Sequence, residues 1–408
     1  MNVILPYAKS PGGRHMDGKL LLTFNTGSST VKVGLFEYGP GHLRRIGKGM
    51  LDFNNRPLTF HMTEGPHVFD VPLNAESGEV MTEVLAETFE WLGEHFDLSS
   101  IGAVAHRVVH GGRDFTGPVR IDEASLAEIE ALTVLAPLHQ PQIVRLINAI
   151  RELKPHLPQT ASFDTAFHRT MSETTQRFAL PRGMFDEGIR RYGFHGLSYK
   201  FIAAELTRRD PELAKGRVIT AHLGSGASLC AMEGGKSRDT SMSFTTLDGI
   251  PMSTRCGAID PGVLLHLLTE RSMSRPAVED LLYRRSGLLG VSGISADTRA
   301  LIASGAPEAK EALDLFTFRI AGEVARQTAS LGGLDGLVFT AGIGENQPVI
   351  RAAVAERLAF LGVRIDPEAN ARNADVISTA DSSVKVTVIR TDEEQVIAEE
   401  ALSLIGDA

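Results

Sequence analysis

The chain has 408 residues, 43% of them hydrophobic and 22% charged, with a formal net charge of −9 and two cysteines. That length exceeds what one hydrophobic core usually supports, so two domains are expected, and the composition is that of a folded chain. The acidic balance argues against a general nucleic-acid binder, Cys230 and Cys256 without a C-x-x-C pair argue for a reducing cytoplasm, and no apolar run reaches the roughly 18 residues of a membrane helix.

Residues 1–18, with Pro11-Gly12-Gly13 and no basic start, read as a loose extension and not as a signal peptide. The first element is an apolar run over 21–30 (L-L-T-F-N-T-G-S-S-T) that breaks into a Gly/Ser/Thr turn, and 30–38 alternates and folds back on it as a hairpin. Residues 81–95 have helical spacing, 101–106 read as a strand, and 121–135 read as a helix opening on acidic residues. Leu138-His139-Gln140-Pro141 reads as a turn. Residues 161–167 are strand-like as far as Asp164, and 197–208 are helical. A second apolar run over 218–228 (V-I-T-A-H-L-G-S-G-A-S) again breaks into a Gly turn, with 228–232 returning before Gly234-Gly235. Helices are expected over 261–270 and 307–331. The latter leads through Gly332-Gly333 into a third run, 337–346 (L-V-F-T-A-G-I-G-E-N), that also breaks into a turn. An amphipathic helix over 346–361 ended by Gly362, a strand over 384–390 and a C-terminal helix complete the chain.

The three apolar runs read as strands buried on both faces, each ending where glycine lets main-chain N–H groups turn towards a ligand. Main-chain donors and hydroxyls suit phosphate, so three such turns suggest two halves closing on a nucleotide. Ser28 and Ser225 lie nearly half a chain apart, as an internal duplication would place them. No known nucleotide motif fits: Gly235-Lys236-Ser237 has Cys230 where a P-loop needs its first Gly, Gly224-Ser225-Gly226 runs on to Leu229 instead of the third Gly of a dinucleotide fingerprint, and the protein-kinase H-R-D and D-F-G are missing.

Polar residues beside glycine or apolar walls are the remaining candidates. Arg107, in H-R-V-V-H-G-G, ends a strand and presents a planar fork to carboxylate or phosphate, and Arg255 in T-R-C-G offers a second. Asp164, in F-D-T-A-F-H, ends a strand where a metal-binding or orienting carboxylate would sit, or where a helix is capped. His195 stands between Gly193 and Gly196 in Y-G-F-H-G, so its ring is expected to approach something closely. These parts form a phosphoryl-transfer kit of Gly turns, acidic groups with an Asn for Mg²⁺, and two Arg for the transferred charge. No strong general base stands out, which suits a carboxylate acceptor, already ionised at neutral pH; an alcohol acceptor would need Asp164 to take its proton.

From residue 19 to the C-terminus, through N-T-G-S-S-T-V-K, H-R-V-V-H-G-G, F-D-T-A-F-H, Y-G-F-H-G-L-S, H-L-G-S-G-A-S, T-R-C-G, F-T-A-G-I-G-E-N and T-D-E-E, the chain resembles the acetate kinase family of short-chain acyl kinases. The resemblance implies an α/β, two-domain actin-like ATPase fold with an interdomain cleft, the N-terminal domain comprising 19–165 plus 394–408 and the C-terminal one 166–393. It also implies a cytoplasmic homodimer that reversibly transfers the ATP γ-phosphoryl to acetate with Mg²⁺ or Mn²⁺, giving acetyl phosphate and ADP, with no nucleic acid or membrane partner. Carried over by position, Asn25, Asp164 and Glu393 stand around the metal and the transferring phosphoryl. Arg107 and Arg255 hold the acetate carboxylate and the charged transition state, His195 stabilises the transferring phosphoryl, and His139 supports it. Ser28, Thr30 and Lys32 form the first phosphate hairpin; His222, Gly224, Ser225 and Gly226 form the second. Asp297, Thr298, Arg299, Gly342, Ile343, Gly344, Asn346 and Ile350 match the adenosine pocket, and Val109, Leu138 and Phe194 the pocket for the acyl methyl.

Four positions depart from the family pattern. Ser225 stands for a common Asn, Ala258 for an acidic residue, Thr246 for a Pro of the acyl pocket, and Thr30 for a Ser. None removes an Arg, the His or a metal-side carboxylate, so an active enzyme is expected. A propionate or butyrate kinase would share every motif, and pocket volume alone would separate them, since one methylene changes binding by only about 1–3 kcal/mol. A non-enzymatic ATP-driven clamp or filament subunit is the rival from another class, and it has no use for paired Arg beside His195.

Overall fold

The computed structural model describes residues 19–27, 30–53, 57–74, 81–137 and 139–406; the expected extension 1–18, Ser28 and Leu138 lie outside the described residues. Two β-sheets organise the chain on one shared plan. The first contains β1 (Lys19–Thr26), β2 (Thr30–Gly39), β3 (His42–Asp52), β4 (Thr59–Glu64), β5 (His67–Pro72), β6 (Ile101–Val108), β7 (Val119–Arg120) and β8 (Gln159–Phe163), in the order β5-β4-β3-β2-β1-β6-β8-β7. The second contains β9 (Arg217–Leu223), β10 (Ala227–Glu233), β11 (Lys236–Thr240), β12 (Gly336–Thr340) and β13 (Lys385–Val388), in the order β11-β10-β9-β12-β13. In each sheet a strand turns back through an antiparallel meander, and two later strands then add in parallel on its other side. The common topology is what an internal duplication would leave.

Burial explains why the key strands are continuous apolar runs. Leu20, Leu21, Leu22 and Phe24 of β1 are all enclosed, because both faces of its sheet are covered. On one face the helices Met81–His95 and Gln140–Leu153 bring Leu85, Phe89, Leu146 and Ile150 against Leu20, Leu22 and Val33. On the other, the C-terminal helix Glu393–Ile405 returns to set Val396, Ile397 and Ala401 on Leu21, Phe36, Ala103 and Ala105. The second sheet repeats the sandwich. Phe316, Ile320 and Val324 of the helix Pro307–Leu331 cover Ile219 and Phe339, and Tyr199, Ile202 and Leu206 of the helix Gly196–Arg209 cover Val218, Cys230 and Val338. β1, β6, β8, β9 and β12 all run out towards a common cleft, where α/β sheets place their ligands.

Local chemistry corrects four sequence expectations. The third Gly-containing segment is not a turn: a short helix, Ala341–Asn346, starts directly after β12. The helix expected over 346–361 begins only at Pro348, because the residue before a proline is pushed out of the α region; Gln347 sits at φ −116° and ψ 83°. Between 121 and 135 the α-helix is limited to Glu123–Ala131, fixed by a reciprocal cap between Asp122 and Ser125, and a 3₁₀ turn follows. His139-Gln140-Pro141, read as a turn, starts the Gln140–Leu153 helix, with Pro in its first turn where its missing N–H costs nothing.

The glycines around His195 serve the helix more than the ring. A Cβ on Gly196 would lie 1.9 Å from the Asp164 carbonyl oxygen, and one on Gly193, at φ +86°, would lie 2.5 Å from the His168 ring. The first contact lets the helix Gly196–Arg209 seat against Asp164 at the end of β8, and the second lets the chain leading into it pass the His168 ring. Gly196→Ala should therefore force the backbone apart and destabilise the protein by about 3 kcal/mol, the upper range for an overpacked site. Urea unfolding measures this, and an unchanged midpoint would show that the contact is not needed.

Candidate active site

The end of β6 delivers Arg107 and the end of the neighbouring parallel strand β8 delivers Asp164, which is fully buried. Arg107 Nη2 donates to Asp164 Oδ2 at 2.6 Å, and its Nε donates to Oδ1 and Oδ2 at 3.0 and 3.2 Å. The backbone N–H of His195 also donates to the Asp164 carboxylate. Burial raises the Asp164 carboxyl pKa against the pull of Arg107, while Arg107, whose charge burial opposes, is held protonated by Asp164 and Glu393. Arg107 Nη1 donates to Asn25 Oδ1 at 3.0 Å. Asn25 Nδ2 in turn donates to Glu393 Oε2 at 2.7 Å and Glu394 Oε1 at 2.9 Å. Burial would raise the Glu393 carboxyl pKa, but Arg107, Lys32 and the Asn25 hydrogen bond bring it down to about 2. One polar chain thus ties β1, β6, β8 and the C-terminal helix together at the cleft.

The opposite wall comes from the second sheet. His195 starts the helix Gly196–Arg209 in the left-handed region, at φ +56°, and its ring stacks on His222 of β9 with centroids 4.1 Å apart and planes at 17°. A Cβ on Gly226 would lie 3.4 Å from His195 Nε2 and 3.7 Å from Arg255 Nη1, so the bare turn between β9 and β10 leaves room in front of both groups. Arg255 Nη1 donates to the Thr246 carbonyl at 3.0 Å and lies 3.7 Å from Met252 Sδ. No carboxylate pairs with Arg255 among the described residues. Burial and the like charge of Arg107 lower its pKa. His139 enters from the start of the Gln140–Leu153 helix; burial, with Arg255 and Arg107 beside it, pushes its imidazole down to about 3. Burial likewise holds His195 well below the ordinary imidazole range and His222 near about 4, so the three rings are neutral at neutral pH.

The cleft encloses about 430 Å³. Besides the groups above it is lined by Val109 and Phe194, both buried apolar side chains, by Thr30 and Lys32 of the first hairpin, and by Gly224, Ser225 and Gly226 of the second. Two sheets, two hairpin turns, two guanidinium groups and an apolar wall meet in one space.

Over residues 20–399 the sequence matches the acetokinase family. The chain belongs to the acetokinase family. An acetate kinase from Nitrobacter hamburgensis is 48% identical over 390 residues, 95% of this chain and 96% of its own. Among solved structures, a propionate kinase from Francisella tularensis superposes with a TM-score of 0.88 at 36% identity, and Porphyromonas gingivalis acetate kinase with 0.83 at 35%. Each comparison covers 95% of this chain and 100% of the other. The two-sheet architecture is accordingly the actin-like ATPase fold of these kinases.

Within that family frame, the residues expected around adenosine divide. Gly342 lines the cleft, whereas Ile343, Gly344, Asn346 and Ile350 do not, and Ile350 is packed in the core. Asn346 spends its amide on the Gly342 carbonyl at 3.0 Å. Asp297 caps its own helix and pairs with Arg299 at 2.6 Å, beside buried Thr298, and none of the three lines the cleft. Ala258 is exposed and away from the cleft, while Thr246 lines it. Sequence reasoning missed Glu394, Glu345 and Thr391. Glu345 Oε1 accepts the backbone N–H groups of Ala341 at 2.8 Å and Thr391 at 3.1 Å, holding Ala341 at φ +65° at the cleft edge. Its only signal was its place inside G-I-G-E-N.

The buried histidines set a pH dependence for folding. Burial pushes His106, His110, His168 and His222 down to about 4 and His139 to about 3, against an unfolded value near 6.5. Below 6.5 the unfolded chain binds the extra protons, so stability is fully present above that pH and is lost as the pH falls towards 4. At pH 5 each imidazole costs about 2 kcal/mol relative to pH 7. The urea midpoint should therefore drop markedly between pH 7 and pH 5, and an equal midpoint at both would contradict the neutral assignments.

Proposed function

We propose that the protein is an ATP:carboxylate phosphotransferase acting on acetate, giving acetyl phosphate and ADP by direct in-line transfer. The observation that carries this reading is Arg255, a guanidinium without a carboxylate partner among the described residues, facing the same cleft as Arg107, His195 and the apolar side chains Val109 and Phe194. A small acid with its methyl on the apolar wall and its carboxylate by the two Arg satisfies both features. The attacking carboxylate oxygen forms the new P–O bond while the bond from the γ-phosphorus to the β–γ bridging oxygen breaks, and that electron pair leaves on ADP. No proton has to move, which agrees with three histidines that burial keeps neutral and weakly basic. Asp164, the base an alcohol acceptor would require, is gripped by Arg107 and His195 N–H, and this favours a carboxylate over a sugar hydroxyl.

Electrostatic stabilisation then falls to named groups. Arg255 and Arg107 face the negative charge spread over the transferring phosphoryl, His195 lies behind the Gly226 hollow, and Gly27 and Thr30 of the first hairpin with the main-chain turn at Gly224–Gly226 face the phosphates. For Mg²⁺ the donors fit: Glu393 and Glu394 are hard oxygen ligands, and Mg²⁺ generally keeps water and substrate phosphates beside one or two carboxylates. Among the described residues no three His, Cys, Asp or Glu side chains gather closely enough to hold an ion alone. Glu393, oriented by Asn25, would hold the cation, which supplies charge neutralisation on the β- and γ-phosphates when bound.

Arg255→Ala should leave the protein folded and lower kcat by roughly 10³-fold or more, the scale of an arginine that stabilises a transferring phosphoryl. Hydroxylamine trapping of acyl phosphate, run with acetate, propionate and butyrate, measures it. Near-normal turnover in the variant removes the assigned role of Arg255. A preference for the longer acids moves the substrate to propionate or butyrate, and no acyl phosphate from any acid refutes the kinase reading.

The same proposal includes a cytoplasmic homodimer built from domains 19–165 plus 394–408 and 166–393. The helix Pro261–Thr269 supports the dimer: none of its residues is buried, and Val263, Leu265 and Leu268 are 46%, 64% and 43% exposed. An apolar helix left open to water is what a second copy would cover. The two free cysteines agree with a reducing compartment, and among the described residues no helix is long and apolar enough to cross a membrane. Light scattering should give about twice the 44.0 kDa chain mass for the native protein and the single-chain mass for Leu265→Glu. An unchanged mass in the variant would place the contact elsewhere.

A further inference from the structure

Behind His195 lies a hydroxyl pair that the transfer reaction does not use directly. His195 Nδ1 is 2.8 Å from Ser228 Oγ, and the same Ser228 Oγ is bonded to the Tyr199 hydroxyl. Both Ser228 and Tyr199 are fully buried. Ser228 sits on β10 and Tyr199 four residues along the helix that His195 begins, so one turn of helix and the adjacent strand fix all three groups.

Counting donors gives the direction of this chain. A phenol carries one O–H, and the Tyr199 hydroxyl has no acceptor besides Ser228 Oγ among the described residues. Reversing the chain would leave that buried O–H without an acceptor, a loss of about 1–3 kcal/mol. Burial also raises the Tyr199 pKa well above its ordinary value, so the phenol keeps its proton. Tyr199 therefore donates to Ser228 Oγ, Ser228 donates its own proton to His195 Nδ1, and the single ring proton of neutral His195 is left on Nε2. That nitrogen is the one beside the Gly226 hollow and Arg255. Ser228 alone could not choose, because a hydroxyl accepts from Nδ1–H as readily as it donates to bare Nδ1.

We propose that Tyr199 is a positioning residue which, through Ser228, locks His195 as the Nε2–H tautomer and so aims a hydrogen-bond donor at the transferring phosphoryl. The proposal rests on the phosphotransferase reading for what lies in front of Nε2, but the tautomer itself is independent of it.

Two measurements separate the parts. Nitrogen-15 spectra of the histidine-labelled wild type at neutral pH, with His195 assigned by its loss in His195→Gln, should give a protonated Nε2 and a bare Nδ1. Tyr199→Phe, and equally Ser228→Ala, should turn this into a mixture of tautomers. In acyl phosphate formation Tyr199→Phe should lower kcat about tenfold, the net worth of one good hydrogen bond, with KM for acetate within about twofold. In the His195→Gln background, where an amide donates without any tautomer to set, Tyr199→Phe should change kcat by less than about twofold. A wild-type Nδ1–H signal overturns the proposal, and so does an equal loss in both backgrounds, which would mark Tyr199 as a packing residue. If Tyr199→Phe does not fold, the wild-type spectrum and Ser228→Ala still decide. If the wild type forms no acyl phosphate, the kinase reading fails and the spectrum alone judges the tautomer.

Discussion

The ion pair between Arg107 and Asp164 is the contact on which the site depends. It closes the ends of two neighbouring parallel strands, receives the backbone N–H that starts the Gly196–Arg209 helix, and reaches through Asn25 to the C-terminal helix. Removing one partner from such a buried pair typically costs 3–5 kcal/mol, because the other is left charged and unpaired. The pair is weak evidence for net stability, since desolvation offsets most of its Coulomb gain. Its value is geometric. It positions groups from five separate chain segments within one polar network.

That network also divides the labour between the two guanidinium groups. Arg107 spends three of its five N–H groups on Asp164 and Asn25, which fixes its charge in place at the cleft wall. Among the described residues Arg255 has only a carbonyl and a thioether within bonding distance, and is left to meet an incoming anion. The three imidazoles around them stay neutral because burial opposes a further proton, as does the charge of Arg107 beside all three and of Arg255 beside His139 and His195. A neutral His195 can give a directed hydrogen bond without adding to the cation crowding, and the hydroxyls behind it decide from which nitrogen.

Most of the fold was legible. β1, β9 and β12 announced themselves as apolar runs because both faces of their sheets are covered, and the returning strand after each of the first two Gly turns followed from alternation and glycine, while β11 was missed. The β3–β5 extension was missed, since β3 and β5 lack a clear period and only Phe60 and Met62 mark the alternation of the short strand β4. The third motif was read as a turn because Gly342 and Gly344 dilute the helical signal, and the start of that helix is held by Glu345, whose cap cannot be recognised without knowing where Thr391 lies.

By itself the sequence determined the residue types at each strand end, the glycine-bearing turns after β1 and β9, and the family motifs that imply phosphoryl transfer. Tertiary structure decided which of those residues share a space and in what state. Asn25 and Glu393 are 2.7 Å apart across almost the whole chain, Asp164 is engaged by Arg107 and not free as a base, and Ile350 belongs to the core and not to the cleft. The reason is physical. Apolar periodicity and turn chemistry are local properties that a linear pattern can carry. Charge state, hydrogen-bond direction and desolvation depend on neighbours that only the packed chain supplies.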